Sequence, residues 1–112
     1  MTKVIMLTAV AIFVTGTAMA ADTQSIQHGH EVFTYWCAPC HGSGPGHPGT
    51  NALAAKYRGS VPAELEQRSD LNPELIRTVV RHGISVMPIF RKTEVSDADL
   101  KAIALYLDRP RP

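Results

Sequence analysis

Apolar positions fall at helical spacing in three stretches of the chain. Ile26, Gly29, Val32, Phe33 and Trp36 share one face and predict a helix over residues 26–36, with Ser25 as its N-cap and residues 22–25 as a loose lead-in. Glycine is a poor helix former, so Gly29 on that face points to close approach of another helix. Leu75, Ile76, Val79 and Val80 form the stripe of a helix over residues 72–82. Asn72 caps it, Pro73 takes its first position, Glu74 suits its positive end and Gly83 stops it. Leu100, Ile103, Ala104 and Leu107, with Tyr106 beside them, predict a last helix over residues 96–108. Ser96 and Asp99 approximate a capping box at its start. This helix is expected to cross the first at Gly29, near Phe33 and Tyr106. Between the stripes lie a Gly/Pro-dominated loop (42–49), a short helix or turn (50–57), a break (59–62) and a further turn (63–68). Glu64, Glu66 and Asp70 read as a solvated acidic face. The expected fold is a small all-α domain.

The first twenty residues read differently. Lys3 is a positive n-region, residues 4–14 are an apolar run, and Ala18-Met19-Ala20 is an A-x-A cleavage site. That is the pattern of a cleaved signal peptide (residues 1–20), ahead of one domain over residues 21–112. The run is too short to span a bilayer comfortably, which disfavours an uncleaved anchor. Export to the bacterial periplasm is expected, with no membrane attachment after cleavage. Without Lys3, ten of the eleven basic residues face ten acidic ones, so no basic surplus argues for nucleic acid.

The chemistry concentrates in Cys37-Ala38-Pro39-Cys40-His41, the C-x-x-C-H pattern of covalent haem attachment, in a chain with two cysteines in all. Each thiol adds across one vinyl group of the porphyrin, so both must reach the same ring edge. Residues three apart on a helical turn have that reach. His41, next in the chain, is placed to ligate the iron through one imidazole nitrogen. The other nitrogen needs an acceptor. Pro48 is the candidate carbonyl, with Pro45 as its competitor.

The rival readings are a dithiol oxidoreductase, since Trp36-Cys37-Ala38-Pro39-Cys40 resembles W-C-x-P-C, a partial zinc site, and a disulfide. A thioredoxin-like site needs a hydrophobic strand before the motif and a helix running on from the first cysteine. Residues 26–33 are not strand-like, and residues 42–49 are too rich in glycine and proline for helix. Zinc lacks a fourth ligand at usual spacing. A disulfide across C-x-x-C closes too small a loop to stabilise much.

Met87 is the candidate second axial ligand. It lies in a Gly/Pro-bounded loop between two helices, far in sequence from His41, and is the only methionine beyond the signal segment. A thioether stabilises ferrous iron and raises the potential. The competing reading is ordinary apolar packing. His82 is the alternative ligand, His47 lies too close to His41 to cross to the opposite haem face, and His28 and His30 read as solvent-facing. A haem left five-coordinate, with Met87 unbound, would instead suit a gas sensor.

Helix, C-x-x-C-H, Gly/Pro loop, helix, methionine loop and last helix, in that order, resemble a small class I bacterial cytochrome c. Gly29, Phe33 and Cys37 match the family's Gly-x-x-x-aromatic spacing, and Tyr106 its aromatic in the last helix. A narrower resemblance is to the cytochrome subunits of p-cresol methylhydroxylase and eugenol hydroxylase flavocytochromes, carried by His47-Pro48-Gly49-Thr50, Val80-Arg81-His82-Gly83 and residues 87–94. Residues 52–72 are longer than in the p-cresol type, which favours the eugenol type or an unpaired cytochrome.

The resemblance implies one haem c, ligated by His41 and Met87. It implies a flavoprotein dehydrogenase or hydroxylase as electron donor, oxidising a para-alkylphenol. The acceptor would be soluble, such as a blue copper protein or another cytochrome. The alternatives are a free cytochrome shuttle in a respiratory chain and a periplasmic thiol–disulfide oxidoreductase using Cys37 and Cys40. Ala38, Pro39, Ile89 and Phe90, rimmed by Arg91 and Lys92, are the expected docking patch.

Overall fold

In a computed structural model the chain is described over residues 17–110, and Lys3 and the apolar run 4–14 fall outside that range. Five α-helices and one 3-10 turn make up the architecture: α1 Thr17–Trp36, α2 Ala38–His41, α3 Pro48–Tyr57, the turn Leu65–Gln67, α4 Pro73–His82 and α5 Asp97–Asp108. No strand occurs among the described residues. Ile84 and Met87 form one isolated antiparallel bridge. The described residues are all-α, as the sequence pattern predicts. No described helix is long and apolar enough to cross a membrane.

Two helices start earlier than predicted. α1 begins at Thr17, so Ser25 lies inside it and caps nothing, and the A-x-A segment falls in its opening turns. Alanines 18, 20 and 21 are strong helix formers and carry the helix back through the expected lead-in. α3 begins at Pro48, which shortens the loop by two residues. Proline fits the first helical position because its missing N–H has no intrahelical partner there.

The core is the crossing of α1 over α5. Phe33 and Ile103 are each 1 % exposed, and Leu100, Tyr106 and Leu107 are buried with them. The helices meet at Gly29, where a Cβ would stand 2.1 Å from the Ala102 carbonyl oxygen and 2.9 Å from Tyr106 Cβ. Phe33 and Tyr106 pack beside the crossing with ring centroids 5.6 Å apart. α4 lays Ile76 and Val80 against the same core. The predicted caps are present: Asn72 Oδ1 accepts from Leu75 N at 2.9 Å, and Ser96 and Asp99 form a reciprocal capping box. His28 ties α1 to that box through Asp99 at 2.6 Å.

The acidic stretch does more than face water. Glu66 accepts a hydrogen bond from the Tyr106 hydroxyl, which joins the 3-10 turn to α5. Asp70 takes two hydrogen bonds from Arg68, a buried arginine. A buried cation needs such a partner.

Candidate functional site

The C-x-x-C-H residues form a turn of their own between α1 and α3. Cys37 N donates to Phe33 O at 2.8 Å, carrying on from α1, and Cys40 N and His41 N both donate to Cys37 O, at 3.1 and 2.8 Å. Cys37 and Cys40 therefore sit one turn apart, as the spacing requires. Three contacts strap α3 and the loop onto this turn. Thr50 Oγ1 donates to Gly42 O at 2.8 Å, the His47 ring lies 3.2 Å from Pro39 O through Nδ1, and Gly49 packs on His41. Thr50 is buried, and the sequence names it only within the His47-Pro48-Gly49-Thr50 stretch, with no role of its own. A threonine one helical turn into a Pro-initiated helix carries no marker of that role.

Beside this turn lies an apolar cleft of about 190 Å³ that is partly open to solvent. Phe33 and Cys37 come to it from the α1 end, His41 from α2, Leu53 from α3, Ile76 and Val80 from α4, Met87 from the following loop and Ile103 from α5. The sequence-predicted residues Cys37, His41 and Met87 thus share one cavity, although His41 and Met87 are 46 positions apart in the chain. Cys40 is exposed at its side. Lys56, Tyr57 and Arg68 add polar groups to the lining, with the Arg68 guanidinium 4.9 Å from the Tyr57 ring centre.

His41 carries an unusual feature. Its Nδ1 is buried and has no hydrogen-bond partner. Neither the Pro48 nor the Pro45 carbonyl accepts from it here. Pro48 opens α3, where its carbonyl faces along the helix's own i to i+4 ladder. The imidazole rests on Gly49 instead, where a Cβ would come within 2.6 Å of Cε1 and 2.8 Å of Nδ1. Burial pushes the His41 pKa below its ordinary value. The neutral ring this favours is the form a metal ligand must have.

The other histidines are turned elsewhere. His82 is exposed and its Nδ1 lies 3.0 Å from Thr78 O on its own helix. His28 bonds Asp99, and His30 stacks at 5.0 Å on Tyr106. None of these three lines the cleft.

Cys37 is poorly suited to thiol chemistry. Burial, with a smaller contribution from Cys40, pushes its thiol up to about 11. An attacking dithiol cysteine needs a lowered pKa.

Of the expected docking patch, Pro39 and Ile89 are exposed. Phe90 is half-buried with its ring 6.0 Å from Trp36, and Lys92 is drawn to Asp97 at 2.7 Å. The exposed apolar residues of the methionine loop are Val86, 91 % exposed, with Ile84 and Ile89.

The residues present fit a covalently held haem. The cavity is lined mainly by carbon, one thiol opens into it, and His41 lines it as a ring whose burial favours the neutral form.

Comparison with known proteins agrees with this geometry. The family described as "Cytochrome C oxidase, cbb3-type, subunit III" matches residues 24–107. Cytochrome c6 of Cyanidioschyzon merolae is 31% identical over 96 residues, covering 86% of this chain and 82% of the relative. No solved structure matches the chain. With the fold, the motif and both comparisons in accord, the chain belongs to the class I c-type cytochromes, electron carriers with covalently bound haem c.

Proposed function

We propose that this chain is an exported, periplasmic mono-haem cytochrome in which Cys37 and Cys40 would hold the haem and His41 and Met87 would ligate its iron. The observation that carries the reading is the meeting of Cys37, His41 and Met87 in one apolar cleft. Cys37 and Cys40 would each add an S–H across a vinyl group, sulfur to one carbon and hydrogen to the other, an addition with no net oxidation. Bound there, the haem supplies a one-electron iron couple.

The chain's own residues do the rest. The carbon-lined cleft wall would disfavour water beside the haem, Lys56 would supply positive charge at its margin, and Gly49 leaves room for the His41 ring. Val86 and Ile89 offer exposed apolar surface on the Met87 loop, where an electron-transfer partner would dock by apolar contact. Cleavage after Ala20 would release the carrier into the periplasm, where the thiols meet the haem outside the reducing cytosol.

The donor we favour is a flavoprotein that oxidises para-alkylphenols, of the eugenol or p-cresol type. Support for it comes from residues 47–50, 80–83 and 87–94 alone. A free shuttle in a respiratory chain is the second reading, and the likeness to a cytochrome c6 fits it similarly.

The test is the visible spectrum of the purified protein with acidified-solvent extraction. A sharp low-spin reduced spectrum, colour that stays with the chain, and its loss from the chain in Cys37→Ser/Cys40→Ser are expected. A colourless protein with two titratable thiols refutes the reading. Co-purification with a flavin-containing protein separates the subunit from the shuttle.

A further inference from the structure

We propose that Arg81, which does not line the cleft, is a positioning residue for Met87: its guanidinium clamps the returning arm of the methionine loop. This rests on the reading of Met87 as an iron ligand given above. The outgoing arm is held by backbone alone. Gly83 turns the chain at φ +70°, where a Cβ would come within 2.7 Å of the Met87 carbonyl oxygen. Ser85 follows at φ +54°, and Met87 N donates to Ile84 O at 2.9 Å.

The returning arm is held at Phe90, three residues beyond Met87. Phe90 N donates to Val80 O at 2.9 Å, and the Phe90 carbonyl accepts from Arg81 Nη1 at 2.9 Å. Arg81 Nη2 donates to Asp97 Oδ1 at 2.9 Å, and Asp97 Oδ2 takes Lys92 Nζ at 2.7 Å. One planar cation thus joins α4, the loop and the first residue of α5. The Arg81 side chain is only 16% exposed, so water screens these bonds less than it screens a surface pair. A fork donating in two directions is something arginine supplies and lysine does not.

Without the clamp, the loop loses a charge-assisted bond close to the ligand and opens more readily. An external ligand binds only the open form, so its apparent affinity rises with the open fraction. Imidazole is the probe, added to the ferric, haem-loaded protein, with the weak far-red band of a methionine-bound iron as readout. Arg81→Ala should bind imidazole about tenfold more tightly than wild type, corresponding to about 1.4 kcal/mol. Arg81→Lys should fall between the two and serves if the alanine variant does not fold. Asn72→Ala, which weakens the far end of the same helix, controls for general destabilisation and should leave imidazole affinity unchanged.

Equal affinity in wild type and both Arg81 variants overturns the clamp, and so does an equal shift in Asn72→Ala. If wild type lacks the far-red band and Met87→Ala leaves the spectrum unaltered, the ligand reading fails and the clamp fails with it. A band present with unmoved affinities sinks the clamp alone.

Discussion

Gly29→Ala tests the helix crossing on which the cleft depends. The added Cβ would stand 2.1 Å from the Ala102 carbonyl oxygen and 2.5 Å from its carbon, both backbone atoms of α5. Ordinary contact begins near 3.4 Å, so the helices would have to part by the difference of 3.4 and 2.1, or 1.3 Å. A gap of that size forfeits half or more of each affected dispersion contact. Phe33, Ile103 and Tyr106, all buried at the crossing, lose most.

Overpacking of this kind costs about 3 kcal/mol, and the better helix propensity of alanine returns about 1 kcal/mol. The net loss of about 2 kcal/mol lowers Tm by roughly 8 to 16 °C in a domain this size. Thermal unfolding of the haem-loaded protein, followed by far-UV circular dichroism, reads it directly. A Gly29→Ala variant as stable as wild type, or more stable, would mean that propensity wins and that the helices do not meet as closely as described.

The remaining expectations follow from individual contacts. Asn72→Ala removes the acceptor for Leu75 N and should cost about 1 kcal/mol in a denaturant melt. Hydrogen bonds from Ser96 and then His28 hold the Asp99 carboxyl below its ordinary value of 3.8. A depressed carboxylate stabilises the fold fully above its unfolded value and loses that contribution as pH falls through its folded value. The stability gap between wild type and Asp99→Asn should therefore be constant near neutral pH and close only in acid below 3.8; a gap that widens in acid would contradict the pairing. Gly49→Ala should disturb the His41 ring, and a shifted reduced spectrum at little change in helix content would show it. In haem-free protein, limited alkylation followed by mass spectrometry should label exposed Cys40 before Cys37.

What the sequence makes legible is what depends on local spacing. The stripe Leu75, Ile76, Val79, Val80 and the caps Asn72 and Ser96 mark α4 and α5, because capping and periodicity are written within a few residues. Gly29 was readable as a crossing point because a glycine on an apolar face has few other uses. The start of α1 was misjudged because Ser25 looks the same at an N-cap and inside a helix, and the alanines before it belong to two patterns at once. Arg68 and Arg81 were invisible as structural residues. A buried arginine differs from a surface one only through partners such as Asp70, Phe90 and Asp97, and those are set by the fold. Met87 could be chosen from its loop, but the anchoring of that loop could not.

The helix that carries the cysteine turn finds its partner only at the far end of the chain: His28 and Asp99, bonded at 2.6 Å, are 71 residues apart. Closing so long a loop costs entropy before any contact repays it. Without α5, α1 lacks the partner that buries Phe33 and meets Gly29, and the cleft lacks Ile103 and Leu107. The packing of the helix that leads into Cys37 is thus completed by residues from the opposite end of the chain.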